Sequence, residues 1–600
     1  MRKIVWIGWM FCGTFSAFGQ SDCSRWSDYL IQWRSSPQDL IDINSNGLIE
    51  VLDLVAWTAR CNASCSGSGI PSYPAVTVSA EWVRFQTWVD NAITNGNAYG
   101  YRALDAAIVY RETGNTAYRD EAIAVVDAFI QAELTLINTN QRPEVTYDSY
   151  LYAGDILGDV ATVFDWCQSA LTPTQISQWT AYCDQTLFNI WNPDDAVWNG
   201  NPFPWSGWSI NNPGNNYFYS FVEATLLWAL ASDNSTWMDY LCSVKWPQLQ
   251  AYFAQLDGGG SREGTGYGTS HMRLFELFRI WKEATGQDLT LSGSHARDSI
   301  LYWLHATVPT LDYFAPIGDQ ARVSDAPLYD YHRNLVLRLL DLFPGSPEAG
   351  QGAWWLNHIV IDEMTSGFNL RHELKPVTEV ESVPTQLYYH ATGVGHLFAR
   401  TNWTTNAVWL GVVAGPYEES HAHRDQGAFM LYQNGWLAVT QNIHSHSGIQ
   451  QDAEVHNVVR FSSGGNTFQP TEGTTSSMSA TSDASGLHIQ ADLSPAFATY
   501  SEISSWTRQL DFQANTLHIT DQFSVDNSVT AVWQVNVPDQ PVMVGNEIHA
   551  GRLIIRPIAP ASPTISFLDW TTVDADHLSG WKVTLSGSQS GYEVELEVGP

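Results

Sequence analysis

Basic residues are scarce in this 600-residue chain: 28 Lys and Arg stand against 62 Asp and Glu, a formal net charge of −34 at pH 7. So anionic a surface repels polyanions at long range, which argues against nucleic acid and anionic membranes as partners. An acidic sugar polymer is not excluded, because salt screens exposed charge beyond about 10 Å and a cleft can carry the opposite local sign. Cysteine is sparse as well, 7 in all, and none stands in a CxxC pattern, so a redox pair or a cysteine-held zinc ribbon is not expected. Beyond the N-terminal segment no apolar run is long enough to span a bilayer, so membrane insertion is not expected either.

What is present begins with Met1-Arg2-Lys3, an apolar run from Ile4 to Phe18, and the small-residue site Ala17-Phe18-Gly19. Residues 1–19 read as a secretory signal, which predicts an exported protein, extracellular or periplasmic. Six cysteines then remain, Cys23, Cys61, Cys65, Cys167, Cys183 and Cys242. An even number suits structural disulfides in an oxidising compartment. Cys23 with Cys61 or Cys65, and two of Cys167, Cys183 and Cys242, are the pairings open to them. Residues 20–65 form a short module, followed by a Ser/Gly/Pro-rich linker over 66–75. Inside the module, Asp42, Asn44 and Asn46 stand at loop positions 1, 3 and 5, Gly47 at 6 and Asp53 at 12. Oxygen side chains at this spacing around a sharp glycine turn suit Ca2+, and the loop resembles an EF-hand of the dockerin type. That resemblance implies a cohesin-like or cell-surface partner.

Residues 76–380 carry a helical period, with amphipathic segments such as Tyr101 to Glu112, Asp120 to Leu134, Leu151 to Ser169, Pro173 to Trp191, Tyr217 to Ala231, Met272 to Ala284, Arg297 to Ala306 and Tyr331 to Leu342. Repeated helical hairpins over this length predict an α/α toroid. Residues 381–600 switch to period two, and Asn434-Gly435 between two strand patterns is a tight-hairpin signal. An antiparallel β-sandwich is expected there, so the fold class is multidomain α+β. The chain also holds 27 Trp and 25 Tyr. Flat rings of this kind stack on pyranose faces, although most aromatics in any domain are core.

The stretch Ser420-His421-Ala422-His423-Arg424-Asp425, then Asn434-Gly435, then His456-Asn457 resembles the HxHxD and HN signature that opens the β-domain of heparinase II/III-like polysaccharide lyases. Upstream, Glu263-Gly264-Thr265-Gly266-Tyr267 resembles their EGxxY segment, and the run from Asn211 to Tyr217 stands where they carry an asparagine-led motif. Ile317-Gly318-Asp319 and Phe398-Ala399-Arg400 follow the family's order. The likeness covers about Trp82 to Pro600.

That resemblance implies β-elimination on a uronic-acid polysaccharide. Such chemistry requires the sugar carboxylate to be neutralised, a base for the C5 proton and an acid for the departing O4. Carried over, Tyr267 is the base or acid, Asn212 or Asn216 the carboxylate partner, and His421 a neutraliser or second proton carrier. His444, where relatives carry a tyrosine, is a further proton-transfer candidate. Arg262, Glu263, His271, Arg322 and Arg424 are substrate-binding candidates. His421 and His423 alternate on an expected strand edge, which sends them to opposite faces. The family's structural zinc maps to His423, about Thr440 and His456; threonine is a poor zinc ligand, leaving Gln441, His444, His446 or Asp425 to complete the set. Two other readings stand beside lyase: a toroid glycoside hydrolase using Asp257, Glu263 or Asp319, and a non-catalytic polysaccharide-binding protein.

Overall fold

A computed structural model of the chain describes residues 67–599, apart from 97, 321–325 and 362–366. The signal segment, the Ca2+ loop with Asp42, Asn44, Asn46 and Asp53, and Arg322 lie outside the described residues. The chain divides after Cys65 into two units, and the described residues belong to the second.

Helices α1 (Ala80–Asn95), α2 (Ala103–Thr113), α3 (Thr116–Asn138), α4 (Ala153–Cys167), α5 (Pro173–Trp191) and α6 (Asn216–Ala231) fill the first part. After them come α7 (Ser235–Tyr240), α8 (Trp246–Phe253), α9 (Gly264–Tyr267), α10 (His271–Thr285), α11 (His295–Ala306), α12 (Asp330–Leu342) and α13 (Pro347–His358). Local signals set several boundaries. Thr172 and Gln175 cap each other's backbone ahead of α5, with Pro173 in its first turn. Gly286, at φ 76°, ends α10 in the left-handed region.

Helices α2, α4, α6, α10 and α12 each pack against the next, and α6 is buried almost throughout, as an inner helix must be. The ring is closed by ion pairs. Glu373 accepts from Arg84 of α1 at 2.9 Å and from Arg333 of α12 at 2.7 Å, while the Arg371 fork grips Asp105 of α2 at 2.7 Å. Cys167 and Cys183 are free and buried and Cys242 is disulfide-bonded, so no disulfide joins α4 to α5.

Glu276 of α10 is a second anchor, bonded to Arg279 at 2.5 Å and Arg338 at 3.2 Å with all three side chains buried. Burial alone would raise its pKa, but the two guanidiniums outweigh it and hold the carboxyl down at about 2. A depressed carboxyl contributes stability that is full above its unfolded value, about 4.3, and is lost as pH falls from there toward 2. Glu276→Gln should therefore cost roughly 3–5 kcal/mol at pH 7 and flatten the acid limb of stability. Denaturant titrations at pH 7, 4 and 3 test this; equal slopes against pH in both proteins would contradict it.

The β part opens with five antiparallel strands paired in chain order, β1 (Tyr388–Ala391), β2 (His396–Arg400), β3 (Trp409–Val413), β4 (Phe429–Tyr432) and β5 (Trp436–Ala438). The Asn434-Gly435 turn joins the last two with both residues at positive φ, 50° and 134°. This sheet lies against the helical ring. Arg400 donates to Leu304 O, His305 O and Thr307 O, Trp409 to His305 O at 3.0 Å, and Tyr302 pairs with His396 at 2.8 Å. β2 and β3 are buried along their whole length, so they lack the alternation of a half-exposed strand.

Next come β6 (Val459–Ser463), β7 (Asn466–Phe468), β8 (Ser477–Asp483), β9 (Gly486–Asp492), β10 (Ile503–Gln513), β11 (Thr516–Val525) and β12 (Thr530–Val537). The chain finishes with β13 (Pro541–Val544), β14 (Glu547–Ala550), β15 (Leu553–Ala559), β16 (Thr564–Asp569), β17 (Trp581–Ser586) and β18 (Gly591–Val598). They make a five-stranded sheet, β7-β6-β12-β17-β16, and an eight-stranded one, β8-β9-β10-β11-β18-β15-β14-β13. Phe461, Trp506, Phe523 and Trp533 pack in one core with Leu397, Leu410 and Phe429 of the first sheet. The period-two half is thus three large sheets around a shared core, with a two-stranded ladder of Pro416–Tyr417 and Thr474–Thr475 beside them, more than the one sandwich expected.

Candidate active site

The toroid delivers its tyrosine to the sheet side through glycines. Gly264, at φ 91°, and Gly266 lie where a Cβ would overlap Ile317 O and Asp319 O. Thr265 locks this approach: its N–H donates to Ile317 O at 2.8 Å and its hydroxyl to Ala315 O at 2.5 Å. The one-turn helix α9, ending on Tyr267, is thereby stapled to the extended 315–319 segment. Asp319 N–H in turn donates to His421 O at 2.9 Å, which joins the helical half to the histidine loop. Behind that loop, Arg508 makes a fully buried fork to Asp521 and donates to Gly427 O and Asn457 O.

The rings of Tyr267 and His421 stack with centroids 3.5 Å apart and planes 7° from parallel. Asp319 holds both imidazoles, accepting from His421 Nδ1 at 2.9 Å and His423 Nε2 at 2.8 Å. With Nδ1 engaged, His421 turns Nε2 outward. His421 keeps 23% of its side-chain surface and His423 only 1%, so the first can meet a ligand and the second supports. Burial would raise the Asp319 carboxyl, but its bonds to His421 and His423 hold it below the usual value. Tyr267 is half-buried; burial first, then the charges of Asp319 and Glu263, raise its pKa. At rest it is a phenol, and it must lose that proton before it can act as a base.

The expectation that His421 and His423 face opposite ways is corrected here. Residues 421–425 form an irregular turn rather than a strand, so the period of two does not apply and both rings reach one carboxylate. Sequence reasoning placed Asp319 in a segment that follows the family's order but gave it a role only as a hydrolase acid. Gln451, which donates to Ser420 O at 2.9 Å and Asp319 Oδ2 at 3.3 Å, was missed altogether.

The asparagines divide their roles. Asn212 donates to Glu419 at 3.0 Å and accepts from Gly214 N–H. Asn215 caps α6 through Tyr217 N–H and donates to Glu263 at 3.2 Å. Asn216 Oδ1 is buried without a hydrogen-bond partner; as this oxygen only accepts, a carboxylate would have to be met by the Nδ2 side of the same amide.

The fold is shared with solved polysaccharide lyases. A crystal structure of heparinase III aligns at TM-score 0.59 and 13% identity over 93% of each chain. A heparan sulfate lyase from Pedobacter heparinus aligns at TM-score 0.53 and 13% identity, covering 94% of this chain and 84% of that one. A chondroitin AC lyase from Streptomyces coelicolor, solved with chondroitin sulphate, aligns at TM-score 0.50 and 12% identity, covering 91% and 78%. No protein-family model matches the sequence. No curated protein matches it either.

Several expected substrate contacts are corrected by burial or prior pairing. Glu263 is fully buried; burial, then the Glu419 charge, push its carboxyl far up, so it supports Asn215 from beneath. Arg262 is held by Glu418 at 2.5 Å with 10% of its side chain exposed. His271 is buried against Tyr219 and Phe253, inside the helical core. Arg424 pairs with Asp452 at the surface. His444 is half-buried at the end of a turn whose other residues, Gln441, Asn442 and Ile443, are buried.

The donors present do not fit a tetrahedral zinc. His423 Nε2 is spent on Asp319, Thr440 donates to Val455 O at 3.2 Å, and His456 Nε2 makes no hydrogen bond. Asp425, Thr440 and His456 line a cavity of about 10 Å³, roughly the room one water needs. Among the described residues no three His, Cys, Asp or Glu converge as a metal site. Zinc chelators should accordingly leave Tm unchanged and metal analysis should find no stoichiometric zinc; a chelator-induced drop of several degrees would overturn this.

Proposed function

We propose that the chain is an exported polysaccharide lyase that cleaves a uronic-acid polysaccharide by β-elimination. The observation that carries the reading is the Tyr267–His421 stack at 3.5 Å, with His421 fixed by Asp319. Asn216 and His421 take the sugar carboxylate, and neutralising it makes the C5 proton acidic. Tyr267 acts as its phenolate, having first lost its own proton to solvent, and takes the C5 proton; the C5–H electrons form the C4=C5 double bond, the C4–O4 bond breaks, and the phenol so formed passes that proton to O4, which restores the phenolate. His423 acts through Asp319 as support.

The lyase fold of the structural neighbours agrees with this, although fold alone does not choose a reaction. Hydrolysis fits less well: Glu263 is buried, Asp319 is committed to two histidines, and Asp257 is exposed in the preceding turn, so these three do not supply the pair of carboxylates that hydrolysis needs. Assays on a panel of uronic-acid polymers test the reading. A new ultraviolet-absorbing, unsaturated end is the expected result; reducing ends without that absorbance would mean hydrolysis, and binding without turnover a lectin-like protein. The proposal includes export through residues 1–19 and Ca2+ held by Asp42, Asn44, Asn46 and Asp53 in the N-terminal module, with a cohesin-like or cell-surface partner.

A further inference from the structure

The segment ahead of α4 is held in an unusual backbone. Asp148, Ser149 and Tyr150 follow one another at φ 45°, 52° and 64°, a left-handed run that non-glycine residues rarely adopt. Such conformations persist only where the surroundings impose them, and they gather at ligand clamps and active sites. Here the surroundings do impose it. Buried Glu133 accepts from Glu144 N–H at 2.7 Å, Val145 N–H at 3.2 Å and Tyr182 hydroxyl at 2.7 Å. Tyr150 is buried against Trp205 at 5.1 Å, and Ser220 of α6 donates to Leu151 O at 2.5 Å.

The result is a carboxylate aimed at the start of α6. Asp148 Oδ1 accepts from Tyr217 hydroxyl at 2.8 Å, and Tyr217 follows Asn215, the residue on Glu263, and Asn216. Asp148 itself remains exposed, and Tyr147 and Tyr152 beside it keep 48% and 52% of their surface. The charge of Asp148 is among the causes that raise Tyr267, so it is felt at the candidate base.

Among the described residues, four arginines that could offset this carboxylate are already engaged. Arg262 is on Glu418, Arg424 on Asp452, and Arg273 lies between Asp155 and Glu223 at 2.8 and 3.0 Å. Arg142 bonds Thr146 and covers the Tyr147 ring. A sulfate ester brought here would meet a negative group with these arginines spent. A sugar hydroxyl could donate to Asp148 while its ring lies on Tyr147 or Tyr152.

We infer that Asp148, set by its bond to Tyr217, is the specificity-determining residue of this crevice, accepting hydroxyl groups of an unsulfated uronan and rejecting sulfate esters. This rests on the lyase reading for its substrate but concerns binding, so the two can fail separately. The probe is one polyuronate and its chemically sulfated derivative at fixed ionic strength, with binding isotherms and kcat/KM measured for wild type, Asp148→Asn and Asp539→Asn. The last variant removes the same charge in the turn before β13.

Wild type should favour the unsulfated polymer by about tenfold or more. Asp148→Asn should narrow that ratio severalfold and Asp539→Asn should not. A ratio near one in wild type, or equal narrowing by both variants, overturns the inference. Preference in binding without cleavage of either polymer would remove the lyase reading and leave the subsite standing; no binding of either would remove both.

Discussion

Tyr267→Phe should reduce turnover by roughly 10²–10⁴-fold, the usual worth of a positioned proton-transfer group, while oligosaccharide binding and Tm stay near wild type. The reason for the split lies in what the change removes. Phenylalanine keeps the ring that stacks on His421 and lies in a turn fixed by Thr265 and the flanking glycines, so only the hydroxyl is lost. Circular dichroism and calorimetry check the fold, and initial rates of ultraviolet absorbance check the chemistry. Full activity would remove Tyr267 from the mechanism; joint loss of activity and stability would point to a structural tyrosine.

The second large effect is expected at Asp319. Asparagine offers one acceptor oxygen where the carboxylate serves His421 and His423 together, and its amide would face one imidazole N–H. We expect Asp319→Asn to lower kcat about 10²-fold or more, as when an imidazole loses the partner that sets its tautomer. A loss of about 1.5–3 kcal/mol in stability should accompany it, because these bonds are charge-assisted. The discriminating readout is rescue by the conservative variant: Asp319→Glu, which restores two acceptor oxygens, should recover part of kcat where Asp319→Asn does not. Equal rates in the two variants, each slowed only in proportion to its lost stability, would mean that Asp319 serves the fold alone.

Particular residues show how far a one-dimensional reading reaches. The Thr172-Pro173 start of α5 and the Asn434-Gly435 turn were legible because each acts over a few bonds of chain. Strand β2 carried no such signal, since burial against the toroid replaces alternation with an all-buried run. Asn212 and Asn216 stood level in the sequence, where nothing shows that the Asn212 amide is engaged by Glu419, 207 positions away. Arg262, His271 and Glu263 looked available as residue types, and their partners lie 48 to 156 positions away.

What the sequence by itself determined is therefore the local and the periodic. It marked a helical half and a strand half, the caps and tight turns, and the motifs that carry Tyr267, His421 and His423. Tertiary structure alone decided that those three side chains meet, that one carboxylate 102 and 104 positions from the histidines orients them, and that a left-handed turn delivers Asp148 to Tyr217. Hydrogen bonds and ring stacks depend on ångström distances between segments remote in chain, and closing such loops leaves no periodic trace in composition or spacing.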